Sequence, residues 1–233
     1  MKALVFDIKG DYGHFRKFYT TSSPLTFSIP PRTTVCGIIG ALIGLDKKEY
    51  LKYFKKEEAK IAIQILHPIN KTRLSINLID TKKAKEYYSK IEKRTQVTYE
   101  LLKNPSYRIY FYHSNKELYK KVKLFLEENK SYYTLSLGLS EFLAEKKYRG
   151  EINLQHIYKD EFAYIDTVVK FDENLKIDFE DNKEYFKDTI QNEMDENREV
   201  TEYIKILLER SGQPIKCQTD YYLSDRGEKI VFL

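Results

Sequence analysis

The stretch from Ile29 to Leu45 constrains the fold most, because it joins two prolines to a long apolar run. Pro30 and Pro31 favour an extended approach, since proline holds φ at about −65° and disfavours a helical conformation in the residue before it. Thr33 or Thr34 follows directly, and a threonine side chain there is expected to cap the first backbone N–H groups of a helix. The stretch therefore predicts a helix that begins at these threonines.

Three glycines within this helix, at positions 37, 40 and 44, lie on roughly one face at 3.6 residues per turn. Each glycine costs a helix about 1 kcal/mol relative to alanine, so the pattern indicates that something packs closely against that face. We interpret it as tight packing of a buried helix on a sheet. A second interpretation concerns the polar start of the helix, where Arg32, Thr33 and Thr34 favour binding of a phosphate.

Charge is strongly segregated along the 233 residues, a length that suits one large domain or two small ones. Residues 1–159 carry 30 Lys and Arg against 16 Asp and Glu, whereas residues 160–202 carry 5 against 15. This segregation predicts a polyanionic partner for the basic part and a different partner for the acidic part. The alternative is that the lysine-rich surface is merely solvated.

Cysteine usage and hydropathy indicate the compartment. Cys36 and Cys217 show no pairing pattern, which favours a reducing environment. Met1-Lys2 leads straight into a strand pattern without a secretory leader, and the longest apolar run is too short and too rich in glycine to span a bilayer. We expect a cytoplasmic protein without membrane contact.

Hydrophobic periodicity in residues 1–145 predicts the order β-α-β-insertion-β-α-β, the ferredoxin-like arrangement of RNA-recognition (RRM) and RAMP-type domains. The fold class is thus predicted as α+β. The predicted strands are residues 4–9, 59–66, 107–112 and 132–137, and the predicted helices are the one described above, followed or continued by residues 47–54, and residues 117–128.

The connection at residues 71–106 is too long for a simple loop, and we predict a protruding, thumb-like hairpin or lobe. Counted through Arg108, it holds ten Lys and Arg against four acidic residues. Residues 146–233 predict a smaller β-rich domain, with strands at residues 152–157, 164–171, 217–223 and 229–233. A helix is predicted at residues 193–209, with Val200, Tyr203, Ile204 and Leu207 on one face.

Aromatic and basic residues alternate in the glycine-flanked loop from Gly10 to Thr20. This pattern suits single-stranded nucleic acid, because rings stack on bases while cations hold phosphates. The alternative is a core loop that buries Phe15 and Phe18 and exposes Arg16.

Few residues favour catalysis. The sequence has no metal-ligand spacing, Walker loop or GxSxG motif, so no metal or cofactor is predicted. Metal-independent RNA cleavage needs a base for the 2′-hydroxyl and an acid or cation at the phosphate. His14, Tyr19, His113 and Lys116 are the candidates, although a core or surface role is the alternative for each histidine.

Three segments carry a family resemblance: GDYGHFRKFYTTSSPLTFSIPPRTTVCGIIGALIGL near the N-terminus, TQVTYELLKNPSYRIYF at residues 95–111 and YYTLSLGLSEFLA at residues 132–144. They resemble the Cas5 family of CRISPR-associated proteins, RAMP-type subunits of type I Cascade complexes, with motif details that lean toward subtype I-B. The resemblance covers residues 1 to about 145. The matched positions are Gly13, His14, Phe15 and Arg16, then Arg32, Thr33, Thr34 and Gly37, and finally Gly138, Ser140, Glu141 and Ala144.

The resemblance implies a ferredoxin-like domain, a thumb-like insertion and a variable C-terminal β domain. It also implies a role in antiviral defence: gripping the 5′ handle of crRNA and capping one end of the backbone-subunit filament, with the large subunit nearby and target DNA reached indirectly. One branch of the family, in subtype I-C, cleaves precursor crRNA with a Tyr/Lys/His set, which has no secure counterpart here.

We therefore predict a non-catalytic crRNA-binding subunit. The predicted RNA-binding residues are His14, Phe15, Arg16, Lys17, Arg32, Thr33, Thr34, Lys71, Arg73, Arg94, Gln96 and Arg108. One alternative is a metal-independent endoribonuclease that processes precursor crRNA. Another is a scaffold whose acidic residues 160–202 dock a basic neighbour.

Overall fold

The computed structural model describes residues 1–21, 23–79, 94–158 and 161–233. Within these ranges the helices are α1 (Arg32–Ile43) and α2 (Lys116–Glu127), and a 3₁₀ turn covers Tyr50–Tyr53. The strands are β1 (Lys2–Lys9), β2 (Tyr12–Gly13), β3 (Ala59–Ile65), β4 (Asn70–Ile79), β5 (Arg94–Lys103), β6 (Ser106–His113), β7 (Glu145–Ile157), β8 (Ala163–Ile165), β9 (Val169–Lys170), β10 (Lys176–Ile177), β11 (Tyr185–Met194), β12 (Val200–Glu209), β13 (Ile215–Gln218), β14 (Tyr221–Ser224) and β15 (Lys229–Ile230). No helix of these described ranges is long and apolar enough to cross a membrane.

A six-stranded sheet in the order β15-β14-β7-β1-β6-β3 forms the centre of the molecule, with every neighbouring pair antiparallel. Leu4, Phe6 and Ile8 of β1 face the core that contains both helices, whereas Ala3 and Val5 face a second core on the other side. Because both faces are buried, β1 is an almost continuous apolar run rather than an alternating one.

Most predicted elements of the first part are confirmed. The strands predicted at residues 4–9, 59–66 and 107–112 correspond to β1, β3 and β6, and the helix predicted at residues 117–128 corresponds to α2. Asn115 caps α2, because its side-chain oxygen accepts the backbone N–H groups of Glu117 at 2.9 Å and Leu118 at 3.1 Å.

The strand predicted at residues 132–137 is wrong. That segment forms only an isolated bridge, Ser136 to Leu143, and β7 occupies the place beside β1 instead. The backbone of this segment bonds to α1 instead of to a strand. The N–H groups of Tyr132 and Tyr133 donate to the carbonyls of Leu42 and Ala41 at the end of α1. These bonds satisfy carbonyls that a helix end otherwise leaves without partners.

The helix predicted at residues 193–209 is also wrong, because β11 and β12 form an antiparallel hairpin there. Ile190 of β11 lies opposite Ile204 of β12, and Ile190 and Ile206 are buried in the main core. The β-branched and aromatic residues of β12 suit a pleated, half-buried surface. The apolar spacing that suggested a helix does not follow the two-residue alternation of a strand, and the cross-strand partners override it.

The start of α1 differs from the prediction. The helix begins at Arg32, and Pro31 occupies the N-cap without any side-chain hydrogen bond, so neither threonine caps the helix. A Cβ atom at Gly40 would lie 3.2 Å from the Cβ atom of Tyr50 in the 3₁₀ turn. At Gly44, which ends the helix with φ +80°, a Cβ atom would lie 2.5 Å from the Tyr132 ring. The glycine face thus packs on tyrosines, and its predicted packing on a sheet is wrong.

The six-stranded sheet draws strands from both sides of residue 145, since β14 and β15 extend it beyond β7. Val168, Ile206 and Leu233 join the same core as the helices. The remaining described strands form three-stranded sheets in the orders β10-β13-β8, β11-β12-β9 and β2-β5-β4. The division into domains at residues 1–145 and 146–233 stays a prediction.

Candidate nucleic-acid interface

The inserted segment forms a hairpin, as expected, within its described residues. Strands β4 and β5 pair over their full length, with Ser75 opposite Thr98 and Asn77 opposite Gln96. Residues 80–93, the central part of the predicted thumb, lie outside the described residues. The two faces of the hairpin differ, because side chains alternate along each strand.

One hairpin face is polar and basic. It presents Arg73, Asn77, Arg94 and Gln96, all of which are exposed. The opposite face is apolar, and its members are Leu74, Ile76, Leu78, Val97 and Tyr99. Leu74 is 48% exposed and Leu78 is 40% exposed. A pair of strands exposed on both faces is marginally stable in isolation.

The aromatic-basic loop is anchored by alternate residues. Phe15 is buried, its N–H donates to Oγ1 of Thr26 at 2.9 Å, and its carbonyl accepts the N–H of Phe27 at 2.8 Å. The hydroxyl of Tyr107 donates to the carbonyl of Ser28 at 2.7 Å. With Phe15 fixed inward, Arg16 points outward and is exposed.

Glycines bring this loop against the segment at residues 135–144. The N–H of His14 donates to the carbonyl of Leu137 at 2.9 Å. A Cβ atom on Gly138, which has φ +96°, would lie 1.8 Å from the carbonyl oxygen of His14. Two of the sequence segments that carry the family resemblance are therefore packed backbone against backbone, and only glycine fits between them.

Beyond the anchor, the loop exposes its rings. Phe18 is 50% exposed and Tyr19 is 57% exposed, with their ring centroids 5.2 Å apart. Tyr203 of β12, 45% exposed, places its ring centroid 4.8 Å from that of Phe18. We call Phe18, Tyr19 and Tyr203 the aromatic cluster. Exposed rings of this kind are able to stack on bases.

Sequence reasoning missed Tyr203 as a functional candidate. Its predicted helix put Tyr203 on a buried face, and no local pattern links β12 to a loop almost 190 residues earlier. Covered and exposed residues alternate only from Val200 to Lys205, and the short apolar-polar-apolar run at residues 204–206 is the sequence signal that a strand assignment would have used.

The loop and the hairpin base are joined by polar contacts. Nζ of Lys71 donates to the carbonyl of Thr26 at 2.9 Å and pairs with Glu100 at 3.0 Å. The N–H of Glu100 donates to the carbonyl of Pro24 at 3.0 Å. Lys17 pairs with Asp188 of β11 at 2.6 Å, and both side chains are largely covered. The loop, the hairpin and β11–β12 thus form one continuous surface.

Arg32 is not part of that surface, which corrects its assignment as an RNA contact. Its side chain is 1% exposed, and its guanidinium donates to the carbonyls of Asn192, Phe54 and Ala59 at 2.7–3.0 Å. Thr33 is also buried, whereas Thr34 is partly exposed. A buried arginine that holds three carbonyls stabilises the packing of α1 against β11 and is out of reach of a phosphate.

His14 and Phe15 are corrected for the same reason, since both are buried. Nδ1 of His14 donates to the carbonyl of Glu100 at 2.8 Å, and the ring packs edge-on against Tyr99. Burial lowers the pKa of His14 below its ordinary value of 6.5, so the ring is neutral at pH 7. Both residues hold the loop on the hairpin and do not face solvent.

Arg108 lies apart from the loop. Its Nε donates to Asp7 at 2.8 Å, and Arg149 holds the same carboxylate at 2.6 Å. On β6 the side chain of Arg108 points to the sheet face opposite Tyr107, the residue that anchors the loop. The structure does not bring Arg108 together with the other predicted RNA contacts.

The candidate catalytic residues are dispersed. His113 is buried, with Nε2 donating to the carbonyl of Tyr53 at 2.6 Å and Nδ1 accepting the N–H of Asn115 at 2.9 Å. It lies beyond the Lys2 end of β1, and His14 lies beyond the Lys9 end. An eight-residue strand spans roughly 23 Å, so the two imidazoles cannot act on one phosphate. Tyr19 is in the loop, and Lys116 begins α2.

Comparison with solved structures identifies the fold. The chain is similar, over 100% of its own length and 99% of the other chain, to the crystal structure of a CRISPR protein from Archaeoglobus fulgidus, with a TM-score of 0.60 and 13% identity. It resembles a chain of a CRISPR RNA-guided surveillance complex at 10% identity and TM-score 0.50, covering 92% of this chain and 91% of that one. It also resembles a chain of the type III-B Cmr-beta complex bound to cognate target RNA and AMPPnP, at 13% identity and TM-score 0.50, covering 93% and 86%.

No protein with a curated description matches the sequence. The family described as CRISPR-associated protein (Cas_Cas5), by contrast, matches residues 3–122, which is more than half of the chain. The matched part contains the aromatic-basic loop, α1, the hairpin and β6. The chain therefore belongs to the Cas5 family of CRISPR-associated proteins.

Proposed function

We propose that this protein is the crRNA-binding subunit of a type I CRISPR surveillance complex, where it grips the 5′ handle of the RNA and caps one end of the backbone filament. The observation that carries the proposal is the continuous exposed surface in which Arg16 and the aromatic cluster adjoin the basic face of the hairpin. Rings for stacking beside cations for phosphates are what a single strand requires.

The proposed contacts have distinct tasks. The aromatic cluster stacks on splayed bases of the handle, and Arg16 holds an adjoining phosphate. Lys17, which was predicted as a phosphate contact, is largely covered and paired with Asp188, so it holds the loop on β11. Arg73, Arg94 and Gln96 contact the strand where it passes the hairpin, and Lys71 orients the hairpin base through Thr26 and Glu100. Thr34 remains a proposed contact at the partly exposed side of the α1 start.

We infer a ferredoxin-like unit made of β1, α1, β3, β6, α2 and β7. Two features support this inference. The four strands neighbour one another in the order β7-β1-β6-β3 and are antiparallel throughout, and a helix follows the first and the third of them in the chain. The hairpin is inserted between β3 and β6, which is the position expected of a thumb.

Assembly with a backbone subunit and a large subunit is proposed from family membership and from the likeness to chains of whole complexes. The apolar hairpin face is suited to contact a neighbouring subunit, because Leu74 and Leu78 expose apolar surface on a strand pair that lacks a cover among the described residues. Target DNA is engaged only through the RNA in this proposal.

Binding of a labelled RNA that carries the repeat-derived 5′ handle tests the function. In fluorescence anisotropy we expect the full chain to prefer this RNA to a scrambled strand, and Arg16→Ala to weaken binding about five- to ten-fold through loss of a phosphate contact. Lys121→Ala, an exposed substitution on α2 outside the proposed surface, is the matched control. Equal affinity for both RNAs, or equal affinity of both variants, contradicts the proposal.

The endoribonuclease alternative has its own test. Purified protein is incubated with precursor crRNA in EDTA, and the products are resolved on a sequencing gel. Because His14 and His113 are buried at opposite ends of β1, we expect the precursor to stay intact. Specific cleavage that disappears in a His14→Gln or His113→Gln variant would establish the enzyme instead.

A further inference from the structure

A cleft of about 270 Å³ opens beside the loop and is lined by three segments that are distant in sequence. Lys17 and Ser28 come from the aromatic-basic loop, and Ile69 and Lys71 come from the hairpin base. The remaining wall belongs to β11 and β12, and its residues are Phe186, Lys187, Asp188, Leu208 and Arg210. The volume approaches that of sites which accept one small ligand.

The walls of the cleft are held together across the segments. Ile69 and Arg210 are joined twice: the N–H of Ile69 donates to the carbonyl of Arg210 at 2.8 Å, and Nε of Arg210 donates to the carbonyl of Ile69 at 3.1 Å. The pair between Lys17 and Asp188, at 2.6 Å, ties the loop to β11 on another side. The cleft is therefore formed before a ligand arrives, which lowers the entropic cost of binding.

Cations dominate its lining. Lys17, Lys71 and Arg210 line it beside one carboxylate, that of Asp188, which pairs with Lys17 at 2.6 Å. Lys71 also pairs with Glu100 at 3.0 Å. Arg210 is oriented by Glu184 at 2.8 Å, and this bond together with the one from Nε uses two of the five N–H donors of its guanidinium. The remaining N–H groups of the guanidinium are able to donate to oxygen atoms of a phosphate, whose geometry a guanidinium matches.

A ring completes the site. Phe186 is 47% exposed although it lies opposite Leu208 in the hairpin, so its ring stands at the rim of the cleft. Lys187, the next residue of β11, points to the opposite face of the strand, where its ammonium group lies 3.8 Å from the ring centroid of Phe171, so it is not one of the cations of the cleft. An exposed ring next to fixed cations is the pairing that one nucleotide needs, because its base stacks while its phosphate is neutralised.

We propose that this cleft binds one nucleotide of a single-stranded nucleic acid, with the base stacked on Phe186 and the phosphate held by Lys71 and Arg210. The proposal rests on the RNA-binding function and extends it, because β11, which carries Phe186, lies in the acidic segment that the charge pattern assigns to a different partner. The strand would run from the aromatic cluster past Lys17 into the cleft.

Affinity for the labelled handle RNA tests the proposal on the full chain. We expect Phe186→Ala to weaken binding about ten-fold. Arg210→Gln should weaken it less and lower the slope of log affinity against log salt by about 0.7. The matched controls are Phe179→Ala, an exposed ring on the same part of the chain, and Lys176→Ala, an exposed lysine of β10; both should bind like the unaltered protein. Thermal unfolding checks that all four variants fold.

Photocrosslinking gives an independent readout. RNA substituted with 4-thiouridine is irradiated in the complex, and crosslinked peptides are identified by mass spectrometry; we expect a peptide that contains Phe186. If Phe186→Ala and Arg210→Gln bind like their controls while Arg16→Ala binds weakly, the cleft proposal is overturned and the RNA-binding function stands. If the unaltered protein does not prefer the handle RNA, both are overturned.

Discussion

Arg16 and Arg32 stand sixteen positions apart in neighbouring basic motifs, yet the fold uses them in opposite ways. Arg16 projects from the aromatic-basic loop into solvent, where a single bond to the carbonyl of Thr20 at 3.0 Å restrains it. Arg32 is enclosed between α1 and β11 and donates to three carbonyls. A polar residue in a motif that matches a family can therefore either stabilise the fold or contact the ligand. Its burial in the folded protein determines which role it has.

The comparison predicts its largest effect for loss of the Arg32 side chain. Arg32→Ala leaves three buried carbonyls without their donor, and we expect a loss of about 3–5 kcal/mol in the free energy of unfolding. Urea denaturation followed by circular dichroism measures it. Arg16→Ala is the control and should change stability by less than about 0.5 kcal/mol. If the two variants are equally stable, Arg32 does not have the structural role assigned to it.

The next largest effect concerns the contact that supports Arg16. Gly138→Ala would force a Cβ atom against the carbonyl of His14 at a positive φ, and we expect it to cost about 2–4 kcal/mol. Gly227→Ala is matched in conformation, with φ +91°, but its Cβ atom meets nothing within 4 Å, so about 1 kcal/mol is expected. Thermal unfolding compares them. Similar losses in both would mean that backbone strain, rather than contact with the loop, accounts for Gly138.

A smaller effect separates binding from stability. Tyr203→Ala removes one ring of the aromatic cluster, and we expect RNA affinity to fall by about 1–2 kcal/mol with little change in melting temperature. Tyr158→Ala, which removes another exposed tyrosine, should bind normally. Fluorescence anisotropy titration with handle RNA measures the affinity of both variants. An unchanged affinity for Tyr203→Ala would restrict the interface to the loop and the hairpin.

The smallest expected effect is a pH dependence of the loop anchor. Because burial lowers the pKa of His14, the unfolded chain binds a proton more readily than the folded one in the window just below pH 6.5. The stabilisation that neutral His14 contributes is therefore fully present above pH 6.5 and is lost as the pH falls through this window. Urea denaturation between pH 7.5 and about 5.5 measures the loss, which should be smaller in His14→Gln than in the control His67→Gln, whose side chain is exposed.

Local sequence patterns were sufficient to predict much of the fold. The buried run of β1, the amphipathic spacing of α2 with its Asn115 cap, and the long basic insertion all carry signals that lie within a few residues of one another. The loop was predicted less well, because its alternation was interpreted as rings for stacking between cations, whereas Phe15 is buried and Phe18 is exposed.

Errors arose where a distant partner decides the outcome. Residues 193–209 satisfy helical spacing, but Ile190 and the main core make them half of a β-hairpin. Residues 132–137 satisfy strand composition, but β7 takes the place beside β1. In both cases the competing structures are close in local propensity, so tertiary packing determines the choice.

The sequence by itself determined the order of the early elements, the site of the insertion and the concentration of cations before residue 160, because these follow from periodicity and composition. Only the tertiary structure decided which cations face solvent, since burial of Arg32 and exposure of Arg16 depend on β11 packing on one and not on the other. It also brought Tyr203 and Phe186 to the basic loop, because cross-strand pairing joins residues that no sequence window contains.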